Sequence, residues 1–332
     1  MSDWLVALLG SAGVAVLVTP LAIKVLRWAH VQDVPNERSS HAATITRGAG
    51  IGVTLAVAGT TLVATEATAR TTAVLIGAVL ISALGLADDA RGVPFVTRLI
   101  VQTAVAVAVV PIISASMWMS LANIIGVVGV VWTINAFNFM DGINGIAAGQ
   151  AAIGGLALIA IGNAVGHGDV RVWGAAVCGG AVGFMPYNAV QPRAFLGDAG
   201  SYFLGAWLAL SGLGAHASGA SLFAVVSIFG VGFADTGVTL ARRIGRHDRW
   251  WLAHREHAYQ RLVDLGIPHT VVALTAMAFA ASVAALGVST IGHGWAVASV
   301  SLLLSGLLCL AYMSLPYRVQ HTRDCRVSDG PG

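Results

Sequence analysis

Residues 70–94 read RTTAVLIGAVLISALGLADDARGVP, and this stretch decides the fold. From Thr71 to Ala87 there is no charge, long enough to approach the ~20 apolar residues that cross a bilayer as a helix. The run then ends on adjacent aspartates, Asp88 and Asp89. Carboxylates at a helix C-terminus oppose the helix dipole, so two of them at a membrane boundary have a weak structural rationale. A lipid-spanning segment capped by acids predicts a membrane protein with chemistry at the membrane face.

The pattern repeats outward in both directions. Candidate spans lie near 4–27, 48–65, 70–87, 95–113, 119–137, 144–163, 172–190, 201–216, 219–241, 268–290 and 293–315. The chain is 57% hydrophobic and 10% charged. Soluble domains carry about 25% charged residues, so the class is an all-α, polytopic transmembrane helical bundle of about eleven spans. The expected layout is one transmembrane catalytic domain over 1–315, with loops 28–47, 88–94, 138–144, 188–200 and 242–267 on one side. A tail follows over 316–332, its last dozen residues polar and frayed.

Placing the N-terminus on the periplasmic side and alternating puts 16 of the 18 Lys and Arg inside, leaving only Arg70 and Arg171 outside. That asymmetry orients the chain with a cytoplasmic C-terminus. The net charge of +3 is spread over this basic face, without a soluble basic domain, so no nucleic-acid partner is expected. Cys178, Cys309 and Cys325 have neither metal-ligand nor disulfide spacing.

Outside loops are short, and the polar residues gather in five inside segments. Residues 33–52, DVPNERSSHAATITRGAGIG, carry Arg38 and Arg47 among hydroxyls, residue types that bind phosphate. In 85–94, Asp88 and Asp89 point about 100° apart on a helix, which suits two separate roles better than one shared ion, and Arg91 is a candidate partner. In 135–149, NAFNFMDGINGIAAG, the polar residues Asn135, Asn138, Asp141 and Asn144 recur every three positions at the mouth of a span. In 195–205, FLGDAGSYFLG, Asp198 stands at a helix start, suited to a divalent cation or to capping. In 242–267, AHREHAYQRL carries His254, Arg255 and His257, better suited to an anion than to zinc because no third ligand is near. Upstream, Asp235 lies in a span with Arg242 two turns on, a candidate structural pair. Separated carboxylates with His and Arg are the equipment of phosphoryl transfer.

In this order, PNERSSH with TRGAG, Asp88-Asp89, NAFNFMDGING, FLGDAGS and AHREHAYQRL resemble the motifs of the polyprenyl-phosphate N-acetylhexosamine-1-phosphate transferases, the MraY/WecA-type glycosyltransferase 4 family. The match spans residues 33–267. The HREHAYQ loop is similar to the O-antigen-initiating, WbpL-like branch. Ile45, Ala49 and Asn144 depart from the family pattern. The resemblance implies transfer of a sugar 1-phosphate from a UDP-N-acetylhexosamine (UDP-GlcNAc, UDP-QuiNAc or UDP-FucNAc) to undecaprenyl phosphate, releasing UMP. It implies Asp198 as ligand to Mg²⁺, with Mn²⁺ as a substitute, and Asp88 and Asp89 as catalytic. It implies Asn138, Asp141, Asn144 and Phe195 at the nucleotide, and Arg38, Arg47, His254, Arg255 and His257 at the diphosphate. Attack is either direct or through an aspartyl intermediate, and the family often forms homodimers. A transporter of a lipid or sugar phosphate is the alternative class, although the polar clusters sit at one end of the spans and no internal repeat is visible.

Overall fold

The computed structural model describes residues 2–33, 44–116, 120–189, 192–249, 252 and 254–328. Within them the chain is helical almost throughout. In order the helices are α1 (Asp3–Trp28), α2 (Ile51–Ala64), α3 (Ala69–Arg91), α4 (Phe95–Ser114), α5 (Leu121–Phe139), α6 (Ile146–Ala164), α7 (Gly168–Asn188), α8 (Gly197–Ala217), α9 (Leu222–Ser227), α10 (Gly230–Gly245), α11 (Ala258–Asp264), α12 (His269–Val288) and α13 (Trp295–Ser328). Among the described residues the strands are a short antiparallel pair, β1 (Gln32–Asp33) with β2 (Ile45–Thr46). It flanks residues 34–43, so Arg38 lies outside the described residues.

Each of the eleven expected segments meets one helix, with one exception. Residues 219–241 are not one span but two pieces, α9 and α10, broken between Ser227 and Gly230. The break is made of tighter turns, in which Ile228 and Phe229 donate to Val225 and Val226. The loosened Ile228 carbonyl accepts from Gln150 Nε2 of α6 at 3.1 Å, which satisfies a backbone group that lipid could not.

Among the described residues seven helices are long and apolar enough to cross a membrane: α1, α3, α4, α5, α6, α12 and α13. The protein is thus a multi-pass membrane protein. Helix α2 has 14 residues, about 21 Å at 1.5 Å per residue, short of the ~30 Å hydrocarbon core. Helix α8 has length enough at 21 residues, but almost its whole surface is buried from Gly197 to Ala215, so it needs no lipid-facing stripe. It is the axis of the bundle, packed on by α3, α5, α4, α6 and α7.

Small residues set these close approaches, as expected where lipid offers no hydrophobic drive between helices. On α7, Gly179 and Gly183 form a G-x-x-x-G face against α1; a Cβ on Gly179 would lie 2.1 Å from the Leu8 carbonyl oxygen. The helix ends sort into two sets, as alternation requires. At one end Arg70 of α3 donates to the Ile113 carbonyl of α4 and to Ser218 after α8. At the other end lie the C-termini of α3, α5 and α7 and the N-termini of α4, α6 and α8, which together build the site. The tail differs from expectation: α13 runs unbroken through to Ser328. Its Tyr317 receives Arg242 Nη1 at 3.1 Å and lies 4.3 Å beneath the Arg261 guanidinium.

Candidate active site

The site is assembled on the N-terminus of α8. The first N–H groups of a helix have no partner within it. Here Asp89, reaching from the last turn of α3, accepts the Asp198 N–H at 2.9 Å and the Ala199 N–H at 2.9 Å. Its side chain is fully buried, and Arg47 Nε closes the charge at 2.7 Å. A helix N-terminus favours negative charge, which explains why a buried carboxylate is tolerated there. Helix α3 approaches so closely because residue 85 is glycine: a Cβ there would lie 2.2 Å from the Asp198 carbonyl oxygen.

Asp198 stands one step inside α8. Its Oδ2 accepts Arg47 Nη2 at 2.9 Å and its Oδ1 accepts Asn138 Nδ2 at 2.7 Å. Asn138 also donates to the Ser201 hydroxyl at 3.0 Å. Asp88 faces differently from Asp89, as adjacent helical positions require. Its Oδ1 accepts the Val93 N–H at 2.7 Å, and its Oδ2 accepts Arg98 Nη1 at 2.6 Å and the Tyr202 hydroxyl at 3.2 Å. Its arginine partner is thus Arg98 of α4, not Arg91: α3 packs against α4, and Arg91 points outward to solvent.

The polar stripe is real but not one helical face. Helix α5 ends at Phe139. Asn135 donates to Gln102 at 2.6 Å inside the bundle, Asn138 reaches Asp198, and Asp141 and Asn144 follow on the loop 140–145. Asp141 is half-buried. Burial, then the negative charge of Asp198 and Asp89, push its carboxyl well above the usual carboxylate range. Asn144 is half-buried without a hydrogen-bond partner among the described residues. The loop is held at its far end by Asn188, whose Oδ1 accepts the Gly145 N–H at 2.8 Å while its Nδ2 donates to the Ala194 carbonyl at 3.1 Å. Phe195 is placed by its backbone, donating to Thr46 at 2.8 Å and accepting from Ala49 at 3.1 Å.

The histidines form a second cluster that meets the first at Phe139. The His257 ring stacks on Phe139 at 6.1 Å and on Tyr259 at 5.9 Å, with His254 at 4.9 Å. Tyr259 ties this cluster to α5 by donating to the Phe139 carbonyl at 2.8 Å. Among the described residues both His254 ring nitrogens are buried without a partner. Burial, together with His257 and Arg243, pushes the His254 ring down to about 4. Asp235 does not pair with Arg242. It accepts from the Ala258 N–H and lies beside His257, because the N-terminus of α11 reaches that face of α10. Arg255 Nη2 pairs with Asp264 at 2.8 Å. Glu256 is clasped by Arg243 and Arg246, fixing the loop to the end of α10.

The structure therefore gathers Asp88, Asp89, Asp198, Asn138, Asp141 and Arg47 at one membrane-edge locus, with His254 and His257 beside it. Sequence reasoning passed over Arg98, Tyr202, Asn188 and Glu256. Arg98 counted only toward orientation, Tyr202 and Asn188 lay inside apolar runs, and Glu256 sat unremarked between the histidines. A tyrosine one turn after Asp198, on the same helix face, is the one signal that pointed inward.

A profile of the family described as glycosyl transferase family 4 matches residues 71–216. A probable undecaprenyl-phosphate N-acetylglucosaminyl 1-phosphate transferase of Bacillus subtilis is 29% identical over 305 residues, covering 85% of this chain and 84% of the relative. A decaprenyl-phosphate N-acetylglucosaminephosphotransferase of Mycolicibacterium smegmatis is 30% identical over 282 residues, covering 71% of this chain and 69% of the relative. A phospho-N-acetylmuramoyl-pentapeptide-transferase of Caldicellulosiruptor bescii is 27% identical over 230 residues, covering 61% and 72%.

Proposed function

We propose a function from one premise, that the chain belongs to glycosyl transferase family 4: it transfers an N-acetylhexosamine 1-phosphate from a UDP-sugar to a polyprenyl phosphate such as undecaprenyl phosphate, and releases UMP. The observation that carries this reading is the convergence of Asp88, Asp198, Asn138, Asp141 and Arg47 at one membrane edge beside two histidines. A lipid phosphate anchored by its tail meets a water-borne nucleotide-sugar only at such an edge, so holding both there supplies much of the rate. The basic face supports a cytoplasmic location for this edge, the side from which a UDP-sugar comes.

Mg²⁺ fits the residues present. Among the described residues no three acidic, His or Cys side chains enclose a metal. Asp141 and Asp198, near enough for the charge of one to raise the other, suit an ion held by one or two carboxylates and shared with substrate phosphates and water. Asp198 would hold it, and Asp141, crowded by like charge, would gain most from it. When bound, the ion neutralises phosphate oxygens and makes the β-phosphorus more electrophilic.

The residues of the chain then divide the work. Asp88 holds Arg98 and Tyr202 where the lipid phosphate arrives and accepts its proton. A lipid-phosphate oxygen attacks the β-phosphorus. The new P–O bond forms as the bond to the bridging oxygen breaks, and that oxygen leaves on the α-phosphate as UMP. Asn138, Asp141, Asn144 and Phe195 hold the uridine. His254 and His257, with Arg38, Arg47 and Arg255, hold the diphosphate. GlcNAc is the favoured sugar because several relatives are named for it. The 6-deoxy donors, and with them an O-antigen role, rest on the form of the HREHAYQ loop.

The test is UMP release by the protein purified in detergent, with undecaprenyl phosphate, Mg²⁺ and UDP-GlcNAc, UDP-QuiNAc or UDP-FucNAc in turn. UMP that requires lipid, metal and Asp198 supports the reading and names the donor. No UMP from any donor with folded protein overturns it.

A further inference from the structure

Asp235 has no part in the chemistry above, yet its carboxylate is fully buried. Burying a carboxylate in a membrane bundle is costly unless it is well partnered. Its partners are specific. Both oxygens accept the Ala258 N–H at 3.0 Å, the Thr239 hydroxyl donates to Oδ1 at 3.3 Å, and His257 Nδ1 lies 3.3 Å from Oδ1. A carboxylate oxygen that already takes two donors demands a hydrogen from the imidazole, so Nδ1 carries it. The lone pair then sits on Nε2, at the opposite edge of the ring. Among the described residues Nε2 has no partner, in a ring that is 2% exposed. The plane is fixed by Phe139 at 26° and Tyr259 at 13°.

We propose that Asp235 is a positioning residue for His257: it fixes Nδ1 as the donor to itself and presents Nε2 to the diphosphate of the nucleotide-sugar. The proposal rests on the reading of His257 given above and deepens it. Asp235 touches no substrate and acts through the ring. If the ring takes up a proton, the same carboxylate balances the charge, and Nε2 becomes a donor to a phosphate oxygen.

Asp235 also caps α11, and one substitution separates the two roles. In Asp235→Asn the amide oxygen still accepts the Ala258 N–H. Its NH₂ then faces Nδ1, so the ring must carry its hydrogen on Nε2, a reversal of the tautomer.

The experiment uses the full chain in detergent with ¹⁵N-labelled histidine. Two-bond ¹⁵N–¹H spectra at pH 8 read the tautomer, and His257→Gln identifies the signals. The expected result is Nδ1–H in the parent protein and Nε2–H in Asp235→Asn, with thermal unfolding little changed. UMP release should then fall about 10- to 100-fold in kcat/KM for the nucleotide-sugar, and Asp235→Glu should retain Nδ1–H and more of the activity. Nε2–H in the parent protein, or a reversed tautomer with full activity, overturns the proposal. Spectra as expected in a chain that makes no UMP from any donor would sink the functional reading and leave the Asp235–His257 tautomer assignment standing.

Discussion

Asp89 and Asp198 are joined through the backbone: the Asp89 carboxylate accepts the N–H of Asp198 itself at 2.9 Å, while the Asp198 side chain turns away to Arg47 and Asn138. One acid therefore builds the helix start on which the other is displayed. Replacing Asp89 with Ala should lower stability by about 1–3 kcal/mol, the cost of leaving the N–H groups it accepts without a partner. Asp198→Asn should unfold near the parent temperature yet release no UMP. Thermal unfolding in detergent beside the UMP assay distinguishes the two.

Gly85 sets the distance between those acids. A methyl group there would lie 2.2 Å from the Asp198 carbonyl oxygen, which is backbone and cannot swing aside. Gly85→Ala should push α3 from α8, lower the unfolding temperature and cut kcat about 100-fold or more, the scale of a 1 Å misplacement. Gly237→Ala, at a position with no atom within 4 Å, is the control and should leave both unchanged.

His254 gives a pH signature. Its ring is pushed from 6.5 down to about 4, so the unfolded chain binds a proton that the folded one refuses between those values. Stability is full above about pH 6.5 and falls as pH drops toward 4. Thermal unfolding against pH should show this slope in the parent protein and less of it in His254→Gln. An identical slope in both would rule His254 out as its source.

Tyr317 links the last helix to the loop carrying the histidines, through Arg242 and Arg261. The stacked guanidinium is worth ~0.5–1 kcal/mol at an exposed site. Tyr317→Ala should speed hydrogen exchange over 254–267 several-fold while leaving α1 and α7 unchanged, as read by mass spectrometry.

Gln150 serves the broken helix. Gln150→Leu leaves the Ile228 carbonyl unsatisfied and should cost about 1–3 kcal/mol. Gln150→Glu, which cannot donate when ionised, should cost at least as much in the same unfolding assay.

The sequence by itself determined the class and the helical segments, and it gathered the polar residues at one end of them, because lipid allows few solutions. A spanning segment must be apolar and helical, and its cations must stay on one side. That logic located Asp88, Asp89, Asp141, Asp198 and the histidine loop, since a charge at a membrane edge stands out against an apolar run. It read 219–241 as one span because hydropathy does not register a break whose carbonyl is rescued by Gln150 from another helix.

Only the tertiary structure decided which residues meet. The partner of Asp88 is Arg98, ten residues along, and the N–H groups capped by Asp89 lie more than a hundred residues away. Asp235 belongs to His257, not to Arg242 on its own helix. A carboxylate's partner is set by which neighbouring helix reaches it, and for Asp89 that contact depends on Gly85, which lets α3 touch the backbone of α8. Local spacing carries no record of such contacts, so that Asp89 caps the start of α8 while the Asp198 side chain turns to Arg47 and Asn138 became legible only in three dimensions.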